Sequence, residues 1–413
     1  MTWRDHGHAR ACRLEAKIDG LDHGLGQILT EVADAVNLQE GESGVRQVLQ
    51  AIGQLDVAST RAVSRQTGLP LPVVAAVSNE LRSRGLVTRE RPSRLTPRGR
   101  ELLGEAVPDQ RAEFVCDCCQ GWGLADGPLA GLADQLAEVM AQAPPVEVSL
   151  DQSHSTAQTK VRRVLYLLRH GLLPARDFLL VGDDDLMAVT VAMASAKLGH
   201  PLVDRYAVVD VSAELLDFIG DRLAALGISA ELAEHDLREP LAGTLSGGFE
   251  LVMTDPPYTA EGARLFLSRA VEMLRPGPGR AIAFSFGPKG PDETMRVQET
   301  ISELGLAVAG LQRDFNEYLG AGVIGGHSNL YQLVSTQRTK PVISGDYQGS
   351  LYTAQARGAD RAYLCLQCRT RHPVGPGARW HTISELKEAG CPVCGGHRLR
   401  PLQLITQSPA DSP

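Results

Sequence analysis

Three adjacent carboxylates, Asp183-Asp184-Asp185, follow Gly182 at the end of an apolar run, Phe178-Leu-Leu-Val181. A second apolar run, Tyr206 to Val209, ends at Asp210, and a third, Phe249 to Met253, ends at Asp255-Pro256-Pro257-Tyr258. Carboxylates packed this closely repel one another by about a kcal/mol or more, so the cluster needs a compensating cation. A metal, an arginine, a sulfonium or a polyamine ammonium would serve. The Asp-Pro-Pro-Tyr segment offers a carboxylate, prolyl carbonyls and an aromatic ring at the end of a strand. Eight cysteines form a second chemical class. Cys365/Cys368 and Cys391/Cys394 are two CxxC pairs separated by 22 residues, the spacing of four thiolates on one tetrahedral zinc. Such a site has no open coordination position and is structural. Cys116 and Cys119 make a further pair that is either half a metal site or a redox thiol pair.

Short buried strands alternating with helices, each strand ending in acid, predict a doubly wound α/β sheet. In such sheets ligands sit beyond the carboxyl ends of the strands. The pattern resembles the nucleoside-binding core of class I methyltransferases, with one departure. The glycine-rich turn after the first strand is here Gly182 followed by three aspartates. By position Asp210 would meet ribose hydroxyls, and Asp236, in His235-Asp236-Leu237, would meet an adenine amino group. Upstream, Asp151-Gln152-Ser-His154-Ser-Thr156-Ala-Gln158-Thr159 precedes a helix over Lys160 to His170. It is either a capping segment, through Thr156 or Thr159, or a substrate-facing loop. Pro276-Gly-Pro-Gly279 introduces a fourth strand, Ala281 to Phe286, and after the next strand Asp314, Glu317 and Tyr318 either lie in a solvated loop, the favoured reading, or extend a groove for a polyamine.

The 413 residues suggest several domains. Residues 1–44 hold a weakly amphipathic helix, and 45–105 resemble a winged helix-turn-helix with Arg82, Arg84, Arg89, Arg91, Arg94 and Arg98 available for phosphates. A Cys-containing linker and helix follow over 106–145, then the core over 146–340 and a zinc ribbon over 355–405. No apolar run reaches the roughly 20 residues of a membrane helix, and the first residues lack a signal-peptide core, so a cytoplasmic protein is expected. A net charge of −8 disfavours a dominant nucleic-acid role and suits a cationic substrate. Cysteine clusters of this kind fit a reducing compartment.

GDDDL at Gly182–Leu186, the upstream DQSHSTAQT, and DPPYT at Asp255–Thr259 with GARLFLSRAVEML after it resemble the branched-chain polyamine synthases, the bis(aminopropyl)spermidine synthases. The likeness covers roughly Val146 to Val334. It implies aminopropyl transfer from decarboxylated S-adenosylmethionine to the secondary amine of spermidine; a homodimer, formed through the N-terminal region, is the expected assembly. In this reading Asp185 is the base or orienting group, and Asp255 and Tyr258 hold the acceptor amine. Gly182, Asp183, Asp184, Asp210, Asp236 and Pro256 bind the donor, while Gln152 and Asp184 face the acceptor. Two other readings compete. One is a methyltransferase acting on an amino group of nucleic acid or protein, the other a DNA-binding regulator that senses a polyamine.

Overall fold

The computed structural model describes residues 26–55, 57–103, 123–145, 152–241, 243–245, 247–319, 326–351, 361–374, 379–380 and 383–401. The Cys116/Cys119 pair and Asp151 lie outside them.

The N-terminal unit starts with α1 (26–36), α2 (Gly41–Gln54), α3 (Thr60–Thr67) and α4 (Leu71–Ser83). Ser59 accepts the Ala62 amide at the start of α3, and Gly68, in the left-handed region at φ 71°, ends it. Leu29, Val45, Leu49, Val74, Val77 and Leu81 are fully buried among these helices. Of the expected wing strands only two isolated antiparallel bridges form, Val87 with Leu95 and Ala58 with Ser93. The second strand stops early because Pro97, well placed in a first helical turn, opens α5 (Pro97–Leu103) instead. Helices α6 (Leu132–Met140) and α7 (Ala157–Arg169) then lead into the core.

Seven strands form one sheet: β1 (Ala175–Val181), β2 (Val203–Asp210), β3 (Ala230–Glu234), β4 (Leu251–Thr254), β5 (Ala281–Phe286), β6 (Leu306–Glu317) and β7 (His327–Ser335). Their order is 3-2-1-4-5-7-6. β1 to β5 run parallel, and β7 is antiparallel to both β5 and β6. The α/β core read from the sequence is therefore present, as a mixed sheet. Its strands are apolar on both faces because helices cover both. α8 (Met187–Leu198) and α9 (Ala213–Ala225) pack on one side with α7, around Phe178, Leu180, Val208 and Met253. α10 (Ala260–Met273) and α11 (Pro291–Glu303) pack on the other, around Leu179, Val181, Val252 and Phe284. Side chains alternate between faces along a strand, so consecutive residues of β1 serve opposite cores.

Asp314 and Glu317 belong to β6 rather than to a solvated loop. Glu317 is held from the N-terminal unit by Arg65 at 3.1 Å and Arg61 at 3.7 Å, so α3 is docked over the end of this strand. At the C-terminal end, β8 (Arg361–Cys365), β9 (Arg371–Val374) and β10 (Leu399–Pro401) make a small antiparallel sheet, order 10-8-9, with α12 (Ile383–Ala389) beside it. Among the described residues no helix is long and apolar enough to cross a membrane.

Leu180 sits at 1% exposure in the middle of β1. Replacing it by alanine should cost about 2–5 kcal/mol of unfolding free energy, measured by denaturant titration.

Candidate active site

The carboxyl ends of β1, β2 and β4 meet at a cleft that encloses about 830 Å³ with its open mouth. Gln152, Gly182, Asp184, Asp210, Asp236, Asp255, Pro256, Tyr258 and Tyr318 are among the residues that line it. Every residue expected at a ligand site therefore reaches the cleft, except Asp183 and Asp185.

The triple-aspartate turn separates its three side chains. Gly182 leaves β1 at φ 73°, a conformation that costs a residue with Cβ. Asp183 turns inward, where its carboxylate accepts the amides of Met187 (2.6 Å) and Ala188 (3.0 Å) and so caps α8. Burial pushes its carboxyl up to about 8 despite these two bonds. Asp185 turns to the opposite side of the turn and is 3% exposed. It accepts from the Ser155 amide (2.6 Å), Lys160 Nζ (2.8 Å) and Arg163 Nη1 (2.6 Å). Burial alone would raise its pKa, but Lys160 and Arg163 reverse this and hold it well below the usual carboxylate range.

Asp184 alone of the three faces the cleft. Its backbone carbonyl accepts Nδ1–H of His154 at 2.7 Å, which fixes the turn, and no described side chain bonds its carboxylate. Burial, followed by the charges of Asp185, Asp255 and Asp210, holds its carboxyl well above the ordinary range. The assignment of Asp185 as proton acceptor thus meets a physical obstacle. A carboxylate saturated by two cations and an amide has little affinity for a proton.

Arg163 joins the two motifs. It is 1% exposed and spends every face of its guanidinium on Asp185 Oδ2, Asp255 Oδ2 (2.8 Å), Tyr318 OH (3.0 Å) and Asn316 Oδ1 (2.8 Å). Asp255 also accepts from the hydroxyls of Tyr318 and, at 3.0 Å, Tyr258. Asn316 in turn donates to Ser328 (2.8 Å) and Ser285 (3.1 Å). Burial and the charge of Asp255 raise both tyrosine pKa values, so both remain phenols that donate. Burial also raises Asp255, with Arg163 acting against it. Sequence reasoning did not find Lys160, Arg163 or Asn316. Their trace is two cations three residues apart on the same helical face as Val161, Val164 and Leu167, where an amphipathic helix should carry none.

At the far end of the cleft Asp210 accepts the amides of Asp183 (3.1 Å) and Ser212 (2.9 Å), and burial raises its carboxyl. Asp236 is more exposed and takes the Arg238 amide at 2.9 Å. Val211 and Leu237 add apolar walls on either side. The segment before α7 caps that helix and also reaches the cleft. Thr156 caps the helix through the Thr159 amide (3.1 Å), while Gln152 and Ser153 line the cleft.

Beside the small C-terminal sheet the four cysteine Sγ atoms lie within 4.8 Å of one another, with Cys365–Cys394 at 3.6 Å and Cys368–Cys391 at 3.5 Å. Four thiolates on a zinc ion stand about 3.8 Å apart when Zn–S is ≈ 2.3 Å. The donor set fits the ion.

Strand order and a cleft at the strand ends define a class I methyltransferase-like fold, here with Asp184, Asp210, Asp236 and Asp255 lining the cleft. More narrowly, the chain belongs to the branched-chain polyamine synthase family: residues 131–352 match the sequence model described as the branched-chain polyamine synthase A C-terminal domain. It is 30% identical to the N(4)-bis(aminopropyl)spermidine synthase of Thermococcus kodakarensis, over 72% of this chain and 84% of that one. An uncharacterized protein of Methanocaldococcus jannaschii is 29% identical over 90% of this chain and 92% of its own. The crystal structure of the Thermus thermophilus branched-chain polyamine synthase, in complex with N4-aminopropylspermidine and 5'-methylthioadenosine, superimposes with a TM-score of 0.66. It covers 81% of this chain and 98% of that one at 24% identity, a likeness of fold.

Asp183, Asp184, Asp210 and Asp255 all have raised pKa values in the fold. A carboxyl raised on folding binds more protons in the native state, so its stabilising contribution fades as pH climbs from the ordinary range towards about 8, the Asp183 value. The melting temperature of the free protein should therefore fall between pH 5 and about 8, and spermidine should raise it more at the higher pH. Differential scanning fluorimetry reads both trends; a flat profile with no spermidine effect would contradict the charge assignment. Arg163→Met should cost about 3–5 kcal/mol by denaturant titration, because it strands two buried carboxylates.

Proposed function

We propose that the chain is an aminopropyltransferase that moves aminopropyl groups from decarboxylated S-adenosylmethionine to the secondary amine of spermidine or a related polyamine, making branched products. The observation that carries this reading is Asp184, a carboxylate with no side-chain partner among the described residues, facing a cleft whose other acids are already engaged. A polycationic acceptor supplies the missing countercharge. Asp210 and Asp236 serve the ribose and adenine of the donor, with Val211 and Leu237 against the base. Asp255 and the prolyl carbonyls next to it orient the amine, aided by Tyr258, and Gln152 lies along the acceptor side.

The reaction needs a free lone pair on the acceptor nitrogen. That pair attacks the methylene beside the sulfonium, the C–S bond breaks with its electrons going to sulfur, and neutral methylthioadenosine leaves. The nitrogen's proton passes to Asp184, whose raised pKa suits it to accept. Asp185 is assigned a positioning part: with Lys160 and Arg163 it braces the turn that presents Asp184. The free carboxylate also favours a donor without a carboxylate of its own, since two like charges would meet in the cleft. A methyltransferase reading has the same cleft but leaves this acidity without a partner.

Zinc bound by Cys365, Cys368, Cys391 and Cys394 is the structural ion of the C-terminal ribbon, and α2 to α4 with their two bridges are read as winged-helix-like. Helix α4 exposes Pro72, Ala76, Asn79 and Ser83, of which Asn79 and Ser83 carry groups able to hydrogen-bond a base edge.

Purified protein given spermidine and the decarboxylated donor should yield products heavier by one or two aminopropyl groups by mass spectrometry, and none with ordinary S-adenosylmethionine. Transfer with the ordinary donor, or none with either, would sink the proposal. Asp184→Asn should lower kcat by about 10²–10⁴-fold at near-native stability. Asp185→Asn should show its main effect in unfolding free energy. Zinc removal should unfold the ribbon, seen as loss of its amide protection, while transfer persists.

A further inference from the structure

The ribbon carries a charge opposite to that of the whole chain. Residues 361–401 hold seven arginines and lysines against two glutamates, a net +5, in a protein of net charge −8. The register of the small sheet sorts these charges. Arg400 pairs with Leu364 and Leu364 with Arg371, so their side chains emerge on one face. Arg398 continues the ladder, its carbonyl accepting the Leu366 amide at 2.9 Å, and falls on the same face two residues before Arg400. Tyr363, Val374 and Leu386 fill the opposite face, which is the core of the ribbon. Arg371, Arg398 and Arg400 are exposed, and among the described residues none is ion-paired. Leu364 keeps only 8% of its surface between two of them, as expected where arginine stems lie over an apolar residue.

We infer that this arginine face binds the phosphate backbone of double-stranded DNA without reading its sequence. Three planar guanidinium groups on a rigid sheet match phosphate oxygens. Among the described residues the face has no aromatic platform, since Tyr363 and Trp380 pack into the ribbon core, and binding of single strands relies on stacking on such platforms. The catalytic core is acidic, which leaves the basic ends of the chain, the ribbon among them, to approach a polyanion.

Fluorescence anisotropy of the full-length protein with a labelled random-sequence duplex DNA of about 20 base pairs tests this. Three phosphate contacts give a slope of about −3 in log K against log salt, or roughly 40-fold weaker binding at 200 than at 50 mM. The triple variant Arg371→Gln/Arg398→Gln/Arg400→Gln, and its glutamate counterpart, should bind at least tenfold more weakly at the lower salt. Aminopropyl transfer and bound zinc should be unchanged in both. Absence of wild-type binding at low salt would overturn the inference. So would equal binding by the variants, which would move the contact to the exposed Arg89, Arg91 and Arg94 of the N-terminal unit. Tighter binding of single-stranded RNA than of duplex would also overturn it, as would a change in sedimentation showing that the variants have lost a second copy of the chain from this face.

Discussion

The buried guanidinium of Arg163 is the interaction on which the site depends. Four carboxylates, Asp183, Asp184, Asp185 and Asp255, stand at the ends of neighbouring strands, and without internal cations their repulsion would oppose the fold. Arg163 and Lys160 neutralise Asp185, Arg163 reaches on to Asp255, and Asp183 is consumed by the start of α8. What remains is Asp184, whose carboxylate has no side-chain partner among the described residues. The ligand that completes the charge balance is thereby selected by charge before any shape is considered.

This arrangement links chemistry to architecture. Arg163 lies on α7, before the sheet, and Tyr318 and Asn316 lie at the end of β6, the last strand in spatial order, so the site is fixed by segments far apart in the chain. Glu317, between Asn316 and Tyr318, is gripped by Arg61 and Arg65 of the N-terminal unit. Those ion pairs are partly exposed and contribute little stability individually. Their consequence is positional, since they hold the strand end that carries two of the Arg163 partners.

Much of the sheet was legible in the sequence because buried parallel strands leave continuous apolar runs: Ala281–Phe286 matches β5 to the residue, and Asp210 closes β2 as expected. β3 was missed because its residues, Ala230 to Glu234, alternate weakly and stay half-buried at the sheet edge. The end of β6 reads as a loop because its charged residues suggest solvation, whereas Glu317 is paired with Arg61 and Arg65 of the N-terminal unit. The motifs located the cleft correctly, but three identical side chains in a row carry no signal of which one faces it. That choice follows from the backbone: Gly182 at φ 73° and Leu186 at φ 53° turn Asp183 and Asp185 to opposite sides. The partners of Asp185 come from a helix whose sequence reads as amphipathic with two misplaced cations.

The assignment of Asp184 as the carboxylate that answers the polyamine is tested most directly by counting protons. Calorimetric titration of spermidine into protein saturated with methylthioadenosine, in buffers of different ionisation enthalpy, gives the protons released on binding. If the raised carboxyl of Asp184 ionises when the cation arrives, the count near neutral pH should fall by about one in Asp184→Asn and stay the same in Asp185→Asn. An unchanged count in Asp184→Asn, or a loss confined to Asp185→Asn, would contradict the account.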